Sequence, residues 1–161
     1  MKKLIKAEIL WTRKCNLRCQ YCNMWHEPGI ISKDINKWLQ GLKALRKLDC
    51  EFIAIYGAEP LMDIENLDIF IKEANNLGIL HTLITNCSVP DVKDKLKFLV
   101  ENGGLNSLTV SFDGTENELN DKSSSIKSGN GLEILRLFQK EFPNYRDASV
   151  VFTLTKTNIF N

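Results

Sequence analysis

Short apolar runs and amphipathic helical stretches alternate along the chain, and this alternation limits the fold more than any other feature. Ala7 to Thr12, Phe52 to Tyr56, Leu80 to Thr85, Leu108 to Phe112 and Ala148 to Leu154 read as five strands. Between them lie four helical stretches, from about Ser32 to Leu48, Asp63 to Gly78, Pro90 to Asn102 and Leu132 to Phe142. In the first, Ile35, Trp38, Leu39, Leu42, Leu45 and Leu48 recur at helical spacing while Lys33, Lys37, Lys43 and Lys47 fall off the stripe. In the second, Leu67, Phe70, Ile71, Ala74 and Leu77 do the same. Ser32, after the Pro28-Gly29 loop signal, and Asp63 are of N-capping type. Gly78 and the pair Gly103-Gly104 read as helix stops. The run Phe52 to Tyr56 is continuously apolar, which suits a strand covered on both faces, as parallel strands are. Strict βα alternation predicts an α/β fold with a parallel sheet, strands in sequential order, joined by right-handed crossovers.

The polar and special residues gather where these strands end. Cys15 to Cys22 follows the first strand, Gly57-Ala58-Glu59-Pro60 the second, Thr85-Asn86-Cys87 the third, Ser111-Phe112-Asp113-Gly114 the fourth and Thr155-Lys156-Thr157-Asn158 the fifth. In parallel α/β sheets and barrels, ligands bind at the carboxyl ends of the strands. Five marked strand ends therefore define one functional face. The polar stretch Thr115 to Gly131 is longer than most strand-to-helix loops and reads as a functional or mobile segment.

The first of these loops carries Cys15, Cys19 and Cys22, spaced C-x3-C-x2-C. Thiolates at this spacing can converge on one soft metal centre from a single loop. On a four-iron cluster, three ligands leave one iron without a protein partner and open to a small molecule. A structural zinc site is the competing reading, because His26 follows as C-x3-H and completes a Cys3His set. Cys50 and Cys87 read as small buried apolar residues outside the ligand set, Cys87 at a strand end near the site. Five cysteines, an odd number with three in one loop, do not form a disulfide framework and point to a reducing compartment. The net charge of +1, from 21 basic and 20 acidic residues, gives no sign of a nucleic-acid or anionic-membrane partner. No apolar run is long enough to span a bilayer, and Lys6, Glu8 and Arg13 interrupt any signal-peptide core, so a cytoplasmic protein is expected.

The motif C-x3-C-x-aromatic-C, with Tyr21 at the aromatic position, resembles the signature of the radical S-adenosylmethionine (radical SAM) enzymes. Gly57-Ala58-Glu59-Pro60 resembles that family's GGEP segment, Thr85-Asn86-Cys87 its TNG segment, and Ser111 to Gly114 its SxDG segment, so the likeness covers nearly the whole chain. The resemblance implies a partial (β/α) barrel in which Cys15, Cys19 and Cys22 hold a 4Fe-4S cluster and S-adenosylmethionine chelates the fourth iron. Reductive cleavage then gives a 5′-deoxyadenosyl radical that abstracts hydrogen from a substrate. By the same resemblance Gly57, Ala58 and Glu59 receive the cofactor's amino group, with Glu59 as the charged acceptor. Asn86 and Ser111 contact the cofactor, Tyr21 walls the cluster near the adenine, and Lys127 stands where relatives place an arginine facing the cofactor carboxylate. Ala58 departs from the family's second glycine; an ordinary negative φ is expected to tolerate its methyl.

The family's barrel has six βα units, whereas residues 1–161 supply five strands. One core domain is expected, as the N-terminal portion of a longer enzyme or a truncated member. A small-molecule or peptide substrate and an electron donor such as flavodoxin or ferredoxin complete the expectation. Two other functions stay open: a glycyl-radical-enzyme activase and a non-enzymatic Cys3His zinc module.

Overall fold

The computed structural model describes residues 4–19, 21–26, 34–113, 131–143 and 147–154. The chain runs β1 (Lys6–Leu10), α1 (Ile35–Lys47), β2 (Phe52–Tyr56), a 3-10 turn (Pro60–Asp63), α2 (Ile64–Asn76), β3 (Leu80–Thr85), α3 (Val92–Phe98), a π-type turn (Leu99–Gly103), β4 (Ser107–Ser111), α4 (Gly131–Glu141) and β5 (Ala148–Val151). All five strands pair in parallel in the order β1-β2-β3-β4-β5. This is the open parallel sheet that the alternation predicts.

The core explains why each segment takes its place. Ile53, Ala54 and Ile55 of β2 are all buried, as a central strand covered on both faces requires. Leu67, Phe70, Ile71 and Ala74 bury one face of α2, and Leu42 anchors α1. Trp11, just past β1, packs its ring 5.1 Å from Trp38 and 5.0 Å from Phe70, tying both helices to the sheet. Each such buried side chain contributes about 1.5–3 kcal/mol. Among the described residues no helix is long and apolar enough to cross a membrane.

Several boundaries differ from the sequence reading. The cap of α1 is Asp34, whose carboxylate accepts from the Asn36 amide at 3.0 Å; Ser32 lies outside the described residues. Asp63 does precede α2, but its carboxylate takes the Asn66 side-chain amide rather than a backbone N–H, because a 3-10 turn already leads into the helix. Leu48 closes α1 as a half-exposed cap instead of extending the apolar stripe. β5 ends at Val151, and Phe152 and Leu154 beyond it are exposed.

Candidate active site

A cavity of about 300 Å³ opens at the carboxyl ends of β1 to β4. Its wall contains Cys15, Cys19 and Cys22 together with Tyr21, Gly57, Ala58, Asn86 and Ser111. The residues that the sequence marks on four separate strand ends thus come together. Apolar surface comes from Leu17, Met24, Tyr56 and Ile84. Lys127, the Thr115 to Gly131 loop up to residue 130, and Thr155 to Asn158 lie outside the described residues.

The cysteine loop is held from both sides. The Glu59 amide donates to the Lys14 carbonyl at 2.9 Å, fastening the loop's start to the end of β2. Asn16 donates to the Ser88 carbonyl and hydroxyl, each at 3.0 Å, and accepts from the Asn86 amide at 3.2 Å. The Cys15 sulfur receives the Leu17 N–H at 3.3 Å and the Asn86 side-chain N–H at 3.7 Å. A reverse turn from Cys19 to Cys22 is closed by a 3.1 Å backbone bond. Burial raises the Cys15 thiol above its ordinary value, and burial lifts Cys19 to about 11. Both are therefore protonated at neutral pH.

Arg18 turns back onto its own loop. Its guanidinium donates to the Cys15 and Leu17 carbonyls, each at 2.8 Å, and lies over the Trp25 ring. His26 stacks on the other partner of that group, with its ring 3.5 Å from Trp25. It lines a second cavity with Leu10, Arg13, Asn23 and Met24, and is absent from the wall that the three thiols share. Among the described residues no three His, Cys, Asp or Glu side chains form a ready-made metal-ion shell.

Glu59 is not the free acceptor that the motif suggests. It is fully buried, and its carboxylate accepts from the Leu61 amide at 3.0 Å, the Thr85 hydroxyl at 2.8 Å and the Asn86 amide at 2.8 Å. Burial raises its pKa above the ordinary carboxylate value, outweighing the three donors, which lower it. The carboxylate thus ties the end of β2 to the end of β3. What this segment shows to the cavity is Gly57 and Ala58.

Both of those residues have left-handed backbones. Gly57 has φ 107°, and a Cβ there would sit 2.6 Å from Leu10 Cδ1 and 2.8 Å from the Thr12 carbonyl oxygen, so only glycine fits. Ala58 has φ 33°, not the negative value expected of it. Its amide is directed at Met24 Sδ, 3.3 Å away, and the next amide is committed to Lys14, which together hold the turn. Cys87, where the TNG-like segment has its third residue, also has positive φ, 54°. Its amide donates to the Thr85 hydroxyl at 3.1 Å, and its thiol is buried in the core and pushed up to about 12 by burial. Cys50 is likewise buried.

Sequence reasoning missed three side chains. Met24 borders both cavities and accepts the Ala58 amide. Asn16 couples the cysteine loop to Ser88. Asp113 accepts the Tyr21 hydroxyl on Oδ2 and the Thr153 amide on Oδ1 at 3.1 Å. Only Asp113 carried any signal, as part of the SxDG-like segment, and its partner Tyr21 lies 92 positions away.

The Radical SAM superfamily model matches residues 9–157. The chain belongs to the radical SAM superfamily. Among curated radical SAM relatives, the GTP 3′,8-cyclase of Aquifex aeolicus is 30% identical over 138 residues, covering 79% of this chain and 41% of that protein. The S-adenosylmethionine-dependent nucleotide dehydratase of a Fibrobacter species is 33% identical over 89 residues, 48% of this chain and 26% of its own. The chain thus spans less than half the length of either. Among solved structures, SuiB of Streptococcus suis bound to S-adenosylmethionine superposes with a TM-score of 0.77 over 98% of this chain and 36% of SuiB, at 16% identity. SuiB has also been solved with its precursor peptide SuiA. At that identity the superposition speaks for the fold, the partial barrel of the superfamily.

Proposed function

We propose that residues 1–161 form a radical SAM core domain that holds a 4Fe-4S cluster on Cys15, Cys19 and Cys22 and binds S-adenosylmethionine beside it. The observation that carries this reading is that the three thiols share one cavity wall with Gly57, Ala58, Asn86 and Ser111, in a chain of this superfamily. The donor set fits the group: soft sulfur ligands, one of them receiving two N–H groups, a pattern that stabilises cluster sulfur. When bound, such a cluster supplies one electron that splits the cofactor's sulfonium into methionine and a 5′-deoxyadenosyl radical.

The chain's own residues bind, orient and shield. The backbone of Gly57 and Ala58 offers the ammonium group its acceptors, since the Glu59 carboxylate is committed elsewhere. Ser111 offers a hydroxyl from the end of β4. Lys127 is proposed to meet the cofactor carboxylate. Asn86, whose side chain already spans Cys15, Asn16 and Ser88, sets the cysteine loop against the cofactor's site. Leu17, Tyr21, Tyr56 and Ile84 form the wall that keeps water from a radical. A small molecule or a peptide is the proposed substrate, in line with the nucleotide chemistry in two relatives' names and with SuiB's peptide. A flavodoxin or ferredoxin is the proposed electron donor.

Anaerobic reconstitution with iron and sulfide tests the cluster. The parent chain is expected to turn brown and retain iron, Cys19→Ala to lose it, and Cys87→Ala to keep it. A colourless parent holding one zinc, or iron lost from the Cys87 variant and kept by the Cys19 variant, overturns the assignment.

A further inference from the structure

We infer that Asp113 is a positioning residue: through the Tyr21 hydroxyl it pins the Cys19–Cys22 turn onto the ends of β4 and β5. Tyr21 lies inside that turn, one residue from Cys22 and two from Cys19. Its hydroxyl donates to Asp113 Oδ2, while Asp113 Oδ1 accepts the Thr153 amide. Asp113 stands two residues past Ser111, and the Phe112 amide between them donates to the Val151 carbonyl at 2.9 Å, extending the β4–β5 ladder up to the carboxylate. One side chain therefore joins three segments: the middle of the cysteine turn, the end of β4 and the residues after β5.

The placement distinguishes this tie from the others on the loop. Backbone and Asn16 contacts fasten the Cys15 end to β2 and β3. The tie from the Cys19–Cys22 end to β4 is the Tyr21 hydroxyl. Asp113 is only 7% exposed, so its carboxylate is a strong acceptor of both bonds. Tyr21 itself is 41% exposed, so burial alone does not fix its ring. A phenylalanine would fill the same place and lose the hydroxyl's bonds to Asp113 and to the Cys19 thiol.

The first arm of the test needs no cluster and so stands apart from the reading of the site. Iodoacetamide labelling of the metal-free native chain is followed residue by residue by mass spectrometry, with buried Cys50 and Cys87 as internal references. Tyr21→Phe and Asp113→Ala are expected to speed labelling of Cys22 by about tenfold or more, the loss of one charge-assisted hydrogen bond, with both references unchanged. Asp113→Asn, whose amide oxygen can still accept the Thr153 amide while its N–H donates to the Tyr21 hydroxyl oxygen, is expected to restore labelling to near the parent rate. In reconstituted protein, Tyr21→Phe is expected to retain iron but change the electron paramagnetic resonance signal of the reduced cluster. A Tyr21→Phe chain whose Cys22 labels at the parent rate, references rising in step with Cys22, or an unchanged resonance signal would each overturn the inference.

Discussion

Ala58 occupies a backbone conformation suited to glycine, at the rim of the candidate site, so Ala58→Gly should stabilise the chain. A non-glycine residue in the left-handed region carries roughly 1–2 kcal/mol of strain, and Ala58 has φ 33°. Glycine removes that strain but enlarges the unfolded ensemble, at a cost of about 0.4–1 kcal/mol. The lost methyl is half-buried and removes a few tenths of a kcal/mol of burial at about 25 cal/mol per Å². The balance is a gain of about 0.5 kcal/mol, within reach of paired urea titrations of the metal-free chains at one pH. The Met24 contact survives, because the amide is untouched. Cys87→Gly makes the contrast. Its φ is also positive, but its side chain is buried in the core, so deleting it should destabilise by about 1 kcal/mol. If Ala58→Gly lost 0.5 kcal/mol or more, as at an ordinary negative-φ position, the strain argument would be refuted.

Two further outcomes are expected. Glu59→Gln should lower unfolding free energy by about 2–4 kcal/mol, since an amide group is turned toward buried donors, while leaving S-adenosylmethionine affinity nearly intact in calorimetric titration of the folded protein; full stability with lost affinity would put the carboxylate in the site. His81 is fully buried, accepts the Asn106 amide on Nε2 at 3.3 Å, and is lowered by burial from 6.5 to about 4. Between those values the unfolded chain binds the extra proton, so stability present above pH 6.5 is lost as pH falls, by about 3 kcal/mol at pH 4. Urea titrations at pH 7 and 4 should show that loss in the parent beyond any in His81→Gln, and equal losses in both would contradict it.

The sheet was legible because its signals are local and repeated. Helical spacing placed α1 and α2, and the apolar run Phe52–Tyr56 announced a central strand. The site's location was legible for the same reason, since strand ends are fixed once the strands are. Its hydrogen bonding was not. A motif glutamate reads as a ligand-facing charge until the Leu61, Thr85 and Asn86 donors are seen around it, and the last two arrive from a different strand. The conformation of Ala58 was hidden because sequence gives residue type but not φ, and the Lys14 and Met24 contacts that impose it come from another loop. The Tyr21–Asp113 tie depends on β4 landing opposite the cysteine turn, which no spacing within either motif encodes.

The central claim is that this cavity supports reductive cleavage of S-adenosylmethionine. The direct measurement is 5′-deoxyadenosine, quantified by chromatography after anaerobic incubation of the reconstituted chain with dithionite and S-adenosylmethionine. The account predicts 5′-deoxyadenosine and methionine in equal amounts from the parent and neither from Cys19→Ala. A parent that retains iron and sulfide, binds S-adenosylmethionine and still yields no 5′-deoxyadenosine would contradict it.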